Sequence, residues 1–259
     1  IINELGERQL NYGSLIVYTS ADSDLQIAAH EDIISAELLY SYCEKVRELT
    51  MREDFLVSRV IARPFTGKNG KFKLNNAGRK DYSIRPPKRT ILDDLNDNGY
   101  NVIGIGKVND IFAEQGINKV LKASNNQEAL TKFSNIMDKS FTGLCMVNLS
   151  DFDNLYGHVR DVEGYGKAIE DLDVEIPLLL NKLEMDDLLI ITADHGNDPT
   201  FKGNDHTREN VPVILYCRNF KTPHLLEPQE TFACIGATIA DNFDLDTPEI
   251  GSSLMEFLN

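Results

Sequence analysis

From residue 90 onward, segments with a helical apolar stripe alternate with short apolar runs, and that alternation leaves few folds open. TILDDLNDNG (90–99) reads as a short helix ending in glycine, and YNVIGIG (100–106) as a strand. A helix around 126–138 precedes a second strand, GLCMVNL (143–149). Tyr165, Ile169, Leu172, Ile176, Leu179 and Leu183 share a helical stripe, in which Pro177 is expected to cause a kink or break. DLLIITA (187–193) and PVILYC (212–217) read as strands, and TFACIGATIADNF (231–243) as a helix. Alternating helices and apolar runs predict an α/β fold with a largely parallel sheet covered on both faces. Ligands of such sheets sit beyond the carboxyl ends of the strands.

The first part of the chain has a different texture. A strand-like SLIVYTS (14–20) leads to a helix with Ser35 as its N-cap and Leu38, Leu39, Tyr42, Val46 and Leu49 on one stripe. SRVIARPF (58–65) reads as a strand, GKNGK (67–71) as a turn, and Arg85-Pro86-Pro87 as a boundary. Two domains are expected, 1–87 and 88–259.

The net charge of −15 argues against nucleic acid or an anionic membrane as a partner. An acidic chain still binds phosphates where a metal or a local Arg/Lys cluster reverses the field. The first ten residues, IINELGERQL, show no signal-peptide pattern, and no apolar run reaches the roughly 18 residues of a membrane span. Cys43, Cys145, Cys217 and Cys234 are far apart and form no Cys-x-x-Cys pair, which points to reduced thiols and a cytoplasmic setting.

Loops at the strand ends carry the chemistry. SDFDNLYGHVRD follows the strand at 143–149 and holds Asp153 and His158, five residues apart. ADHGNDPTFKGNDHTREN follows the strand at 187–193 and holds Asp194, His195 and His206. Carboxylate with imidazole suits Mn²⁺, Zn²⁺ or Fe²⁺, and the absence of Cys from the cluster disfavours a closed structural zinc site. Five ligands exceed one mononuclear site that keeps an open position. They suggest two ions clamping the attacking and leaving oxygens of phosphoryl transfer. Asp198 and Asp205 read as residues that orient the loop.

TSADSDLQIAAHE, IGKVNDIF, DFDNLYGHVRD, ADHGNDPT, DHTREN and IGATIADNF together closely resemble bacterial phosphopentomutases, members of the alkaline-phosphatase-like superfamily. The resemblance runs from about residue 14 to the C-terminus. Asp-His-Gly alone indicates only the superfamily, whereas TSADS with IGK and DHTRE points to this family. The resemblance implies an alkaline-phosphatase-like α/β core, present in part, with a smaller α+β cap formed by residues 1–87. It also implies interconversion of ribose or deoxyribose 1-phosphate and the 5-phosphate. Two Mn²⁺ ions and a phosphorylated Thr primed by a sugar bisphosphate activator would do the chemistry. Asp194 and His195 would bind one metal, and Asp153, His158 and His206 the other.

Ser20, Asp22, Arg59 and Ile61 match the family's sugar-contacting cap positions, and Lys107 matches a phosphate-contacting lysine. Asp22 suits a ribose hydroxyl and Arg59 a bidentate phosphate contact, although a turn-capping Asp and a surface strand Arg would read the same way. Lys107 fits a solvated loop equally well. His30 matches a cap histidine and fits a structural role too.

Several positions depart from the family pattern. Asp24 stands where a small apolar residue is typical, Val159 where a second Arg is common, and Asn204 where Thr is usual. KLNNAGRKDY (73–82) replaces a stretch with two Arg; only Arg79 remains, with Lys71 and Lys73 nearby. These changes touch phosphate affinity more than metal binding. The family's nucleophilic Thr and a further metal-binding Asp precede the matched region, so both are expected upstream of Ile1. That missing segment is a candidate partner, and the core sheet is expected to expose apolar surface. Two other readings stand beside the mutase: a truncated, non-catalytic metal-binding homologue, and another phosphomutase or hydrolase of the superfamily.

Overall fold

The computed structural model describes residues 1–19, 24–220 and 222–258. Ser20 and Asp22 therefore lie outside the described residues. The chain divides into two units, Ile1–Arg85 with Asp110–Ala113, and Pro86–Asn109 with Glu114–Asn259.

In the first unit, a five-stranded sheet carries runs of successive buried residues in its central strands. Strands β1 (Ile16–Thr19), β2 (Asp24–His30) and β3 (Arg59–Lys68) lie side by side. β2 and β3 run parallel, with Asp24 opposite Arg59. β4 (Lys71–Leu74) and β5 (Lys80–Ser83) pair with successive halves of β3. Asn69 and Gly70 turn β3 into β4, and their φ values of 56° and 72° suit a two-residue hairpin with left-handed central residues. Ile27, Ala29, Val60 and Ala62 pack on Leu39 and Cys43 of helix α2 (Ala36–Leu49). Ser35 caps that helix as expected, accepting a hydrogen bond from the Leu38 N–H at 3.3 Å. On the other face, Ile16, Ala28, Phe65 and Phe72 pack against Ile2, Leu5 and Leu10 of α1 (Ile2–Tyr12).

His30 has a structural role. It is 1% exposed, its Nε2 lies 2.8 Å from the Gly67 carbonyl, and its Nδ1 accepts from the Asp32 N–H at 3.2 Å. Both ring nitrogens are thus satisfied by backbone, and the ring stands edge-on to Phe65.

The second unit contains α3 (Ile91–Asp97), β6 (Asn101–Ile105), the start of α4 (Val108–Ile111), β7 (Lys119–Leu121), α5 (Asn126–Met137) and β8 (Gly143–Val147). α6 (Val162–Lys182), β9 (Leu189–Thr192), β10 (Val213–Tyr216) and α7 (Ala233–Asn242) complete it. β7, β6 and β8 form a parallel sheet in that order, and Ile103 and Ile105 pack on Ala129 and Ile136 of α5. β9 and β10 form a separate antiparallel pair, where one largely parallel sheet was expected. A parallel partner needs a crossover, usually helical, and residues 193–212 contain no helix. α6 runs unbroken through Pro177, which replaces the expected break. Pro177 and Asp173 both face solvent, so water can satisfy the carbonyl that loses its helical donor.

Apolar side chains are exposed on several elements of this unit, including Met146 (39%), Ile169 (52%), Leu178 (57%) and Ile214 (55%). All four cysteines are free thiols, Cys43 and Cys234 fully buried. No helix among the described residues is long and apolar enough to cross a membrane.

Candidate metal centre

β8 ends at Val147, and five residues later the chain enters one wide π-helical turn, Phe152–Gly157. The His158 N–H closes that turn on the Asp153 carbonyl at 3.0 Å, an i to i+5 bond. The spacing of five noted in the sequence is thus the period of this turn, and it brings the two side chains together. His158 Nε2 lies 3.2 Å from Asp153 Oδ2.

The loop after β9 supplies the other imidazoles. It folds back on itself through a bridge between Gly196 and Thr207, and this carries His206 to the strand end. His206 Nε2 lies 3.2 Å from Asp153 Oδ1. The His195 and His206 rings stack at 3.6 Å, and the His158 and His206 rings at 4.8 Å. Asp153, His195 and His206 each offer a donor atom within 4.8 Å of the others. The adjacent carboxylate of Asp194 is 70% exposed, outside this group, with Oδ1 3.6 Å from His195 Nε2.

The donor set fits a divalent metal. Three imidazoles converge on one carboxylate, and rings stacked this closely would repel one another if all were protonated. The Asn204 carbonyl lies 2.6 Å from His158 Nδ1, so Nδ1 donates to it, and Nε2, 3.2 Å from Asp153 Oδ2, is the nitrogen that would face a metal.

Residues around the ligands hold them in place. Asn197 is 9% exposed and donates from Nδ2 to Asp153 Oδ1 at 2.5 Å. Arg160 Nη1 donates to Asn197 Oδ1 at 2.6 Å. Asp198 accepts from the Thr200 N–H and hydroxyl at 2.8 and 2.7 Å, and these bonds hold its carboxyl below the usual range. Asp198 thus shapes the turn, and Asp205 contributes its main-chain carbonyl to Arg160. Sequence reasoning overlooked Gly157, Arg160 and Asn197. Their only signal is proximity, since they lie one or two positions from His158 or His195.

Residues 51–247 match the Metalloenzyme superfamily. The chain belongs to that superfamily. Its mixed α/β architecture is that of an alkaline-phosphatase-like core, and the group at Asp153 is where such a metalloenzyme would hold a divalent ion. Superfamily membership points to metal-dependent chemistry of the phosphoryl-transfer and hydrolase kind.

The remaining sequence candidates of this metalloenzyme occupy distinct settings. Lys107 is exposed, two residues past the end of β6. Arg59 opens β3, and Asp24 grips its guanidinium from two sides, Oδ1 to Nε at 2.9 Å and Oδ2 to Nη2 at 3.2 Å. Ile61 is 1% exposed. Arg79 makes the same kind of fork with Asp81, both contacts at 2.6 Å.

Proposed function

We propose that this metalloenzyme is a phosphopentomutase, interconverting (deoxy)ribose 1-phosphate and (deoxy)ribose 5-phosphate in the cytoplasm. The observation that carries the reading is the convergence of Asp153, His195 and His206 from the loops after two neighbouring strands in sequence, β8 and β9. The motifs TSADS, IGK and DHTRE support the choice of substrate.

In this reading Asp153, His158 and His206 hold one Mn²⁺, and Asp194 and His195 the other. The tight group of Asp153, His195 and His206 spans both sets. When bound, the ions supply Lewis acidity and neutralise the oxygens of the transferring phosphoryl group. The chain's own residues then do the positioning. The Asn204 contact leaves His158 Nε2 as the nitrogen that would face the metal. Residues 1–87 act as the cap, with Ser20, Asp22, Arg59 and Ile61 set against the pentose phosphate and Lys107 against phosphate.

One observation favours a second reading. Asp24 occupies two donors of the Arg59 guanidinium, which a phosphate would otherwise take. That suits a non-catalytic metal-binding homologue, or another phosphomutase or hydrolase of the superfamily. Incubation of the full-length protein with ribose 5-phosphate, Mn²⁺ and a sugar bisphosphate, followed by ³¹P NMR, separates the readings. Formation of ribose 1-phosphate supports the mutase. Phosphodiester hydrolysis without isomerisation supports a superfamily hydrolase, and Mn²⁺ binding with neither reaction supports the non-catalytic homologue.

A further inference from the structure

We propose that Arg160, acting through Asn197, is a positioning residue of the metal centre that sets the orientation of the Asp153 carboxylate. The inference rests on the reading of Asp153 as a metal ligand.

Arg160 makes five contacts, none of them to a carboxylate. Nε donates to the Gly203 carbonyl at 2.6 Å, and Nη2 to the Asp205 carbonyl at 2.5 Å. Nη1 reaches the Gly157 and Asp198 carbonyls, each at 3.0 Å, and Asn197 Oδ1 at 2.6 Å. By contrast, Arg52, Arg79 and Arg89 each grip an aspartate in exposed or half-exposed ion pairs. Four main-chain carbonyls and one amide oxygen, from two segments, surround the planar guanidinium, with the two protons of Nη1 shared among three acceptors, a fan that a lysine cannot reproduce. Arg160 also holds a left-handed backbone, φ 59°, a conformation rare outside glycine that persists where the surroundings over-determine it.

The consequence reaches the ligands by two routes. Because Asn197 Oδ1 must face the guanidinium, Nδ2 must face Asp153, so the amide cannot flip. A cationic donor on the oxygen polarises the amide and strengthens the N–H that it gives to Asp153. Gly157 makes this approach possible, since a Cβ there would lie 2.2 Å from Asn197 Nδ2. Arg160 also holds the 203–205 turn by both flanking carbonyls, and the carbonyl between them, on Asn204, faces His158 Nδ1.

Calorimetric titration of the full chain with Mn²⁺ tests this, with far-UV circular dichroism and thermal melts to confirm folding. Asp153→Ala should abolish the site; unchanged binding would overturn the metal reading and this inference together. Asn197→Leu and Arg160→Gln should each weaken Mn²⁺ binding about 10- to 100-fold while the chain stays folded. Arg160→Lys should fail to restore it, and the Mn²⁺ EPR line shape of all three variants should change. The double variant should lose little more than Arg160→Gln alone, because the two residues act in series. If Asp153→Ala abolishes binding while folded Asn197→Leu binds like the parent, the positioning role is overturned. Full additivity in the double variant would overturn the relay as well. Should Arg160→Gln fail to fold, Asn197→Leu still decides the matter.

Discussion

Asp24 and Arg59 face each other across the parallel strands β2 and β3 as a bidentate ion pair, with the aspartate side chain 5% exposed and the arginine 35%. Ser58 adds a hydroxyl to the same carboxylate at 3.3 Å. A buried acid this enclosed depends on its cation, whereas the half-exposed cation can turn to water. Arg59→Gln should therefore destabilise more than Asp24→Asn, by about 3 kcal/mol against about 1. Urea unfolding of both variants checks the order. The Asp24→Asn variant should also bind inorganic phosphate more tightly, because it removes the negative charge beside the guanidinium.

Metal binding to the folded chain should raise its stability. At a free Mn²⁺ concentration of 100 times the dissociation constant, the gain is about 2.7 kcal/mol, and a chelator should remove it. A thermal melt with and without Mn²⁺ measures this. His206→Ala should abolish the metal-dependent part of the shift, because His206 belongs to the three-residue group that offers converging donors.

His30 should matter for stability and not for metal. His30→Ala removes an enclosed ring, leaves a cavity beside Phe65, and orphans two backbone contacts. The expected loss is about 3 kcal/mol. Mn²⁺ affinity of the folded variant should equal that of the parent; a tenfold change would contradict the structural role.

Two thiols should make the chain sensitive to alkali. Burial pushes Cys43 and Cys145 from 9.0 up to about 12. The unfolded chain then loses these protons at lower pH than the folded one. Stability from the neutral thiols is complete below about pH 9 and falls as pH rises towards 12. The slope is about 1.4 kcal/mol per pH unit for each thiol. Denaturant midpoints at pH 8, 9 and 10 should show the decline, and Cys145→Ala should reduce it. Native Cys43 should react slowly with an alkylating reagent at pH 8, since the thiolate is both scarce and enclosed.

How much of this was legible depended on whether the signal was local. Apolar runs marked β6, β8, β9 and β10, because a buried strand must present consecutive apolar residues. Ser35 marked the start of α2, because a cap acts within three residues. The acids and imidazoles after β8 and β9 stood out because few side chains ligate metals, and their spacing of five proved to be one π-helical turn. Helix α1 went unread. Its buried positions include Gly6 and Gln9, and Gln9 accepts from the backbone of His30 in another element. The antiparallel return of β10 onto β9 was missed for a related reason: an apolar run carries no direction.

The sequence by itself determined which chemistry was available: a carboxylate and imidazoles at strand ends, in a chain too acidic to bind phosphate without local positive charge. Only the tertiary structure decided which of them meet. His195 reaches Asp153 and His206 while its neighbour Asp194 stands exposed, a divergence that adjacency in the chain conceals. Asp24 takes two donors of Arg59 only because parallel pairing sets them opposite, thirty-five positions apart. Arg160 and Asn197, thirty-seven apart, carry no ligating group of their own. Their importance lies in hydrogen-bond geometry between segments, which exists only once the chain is folded.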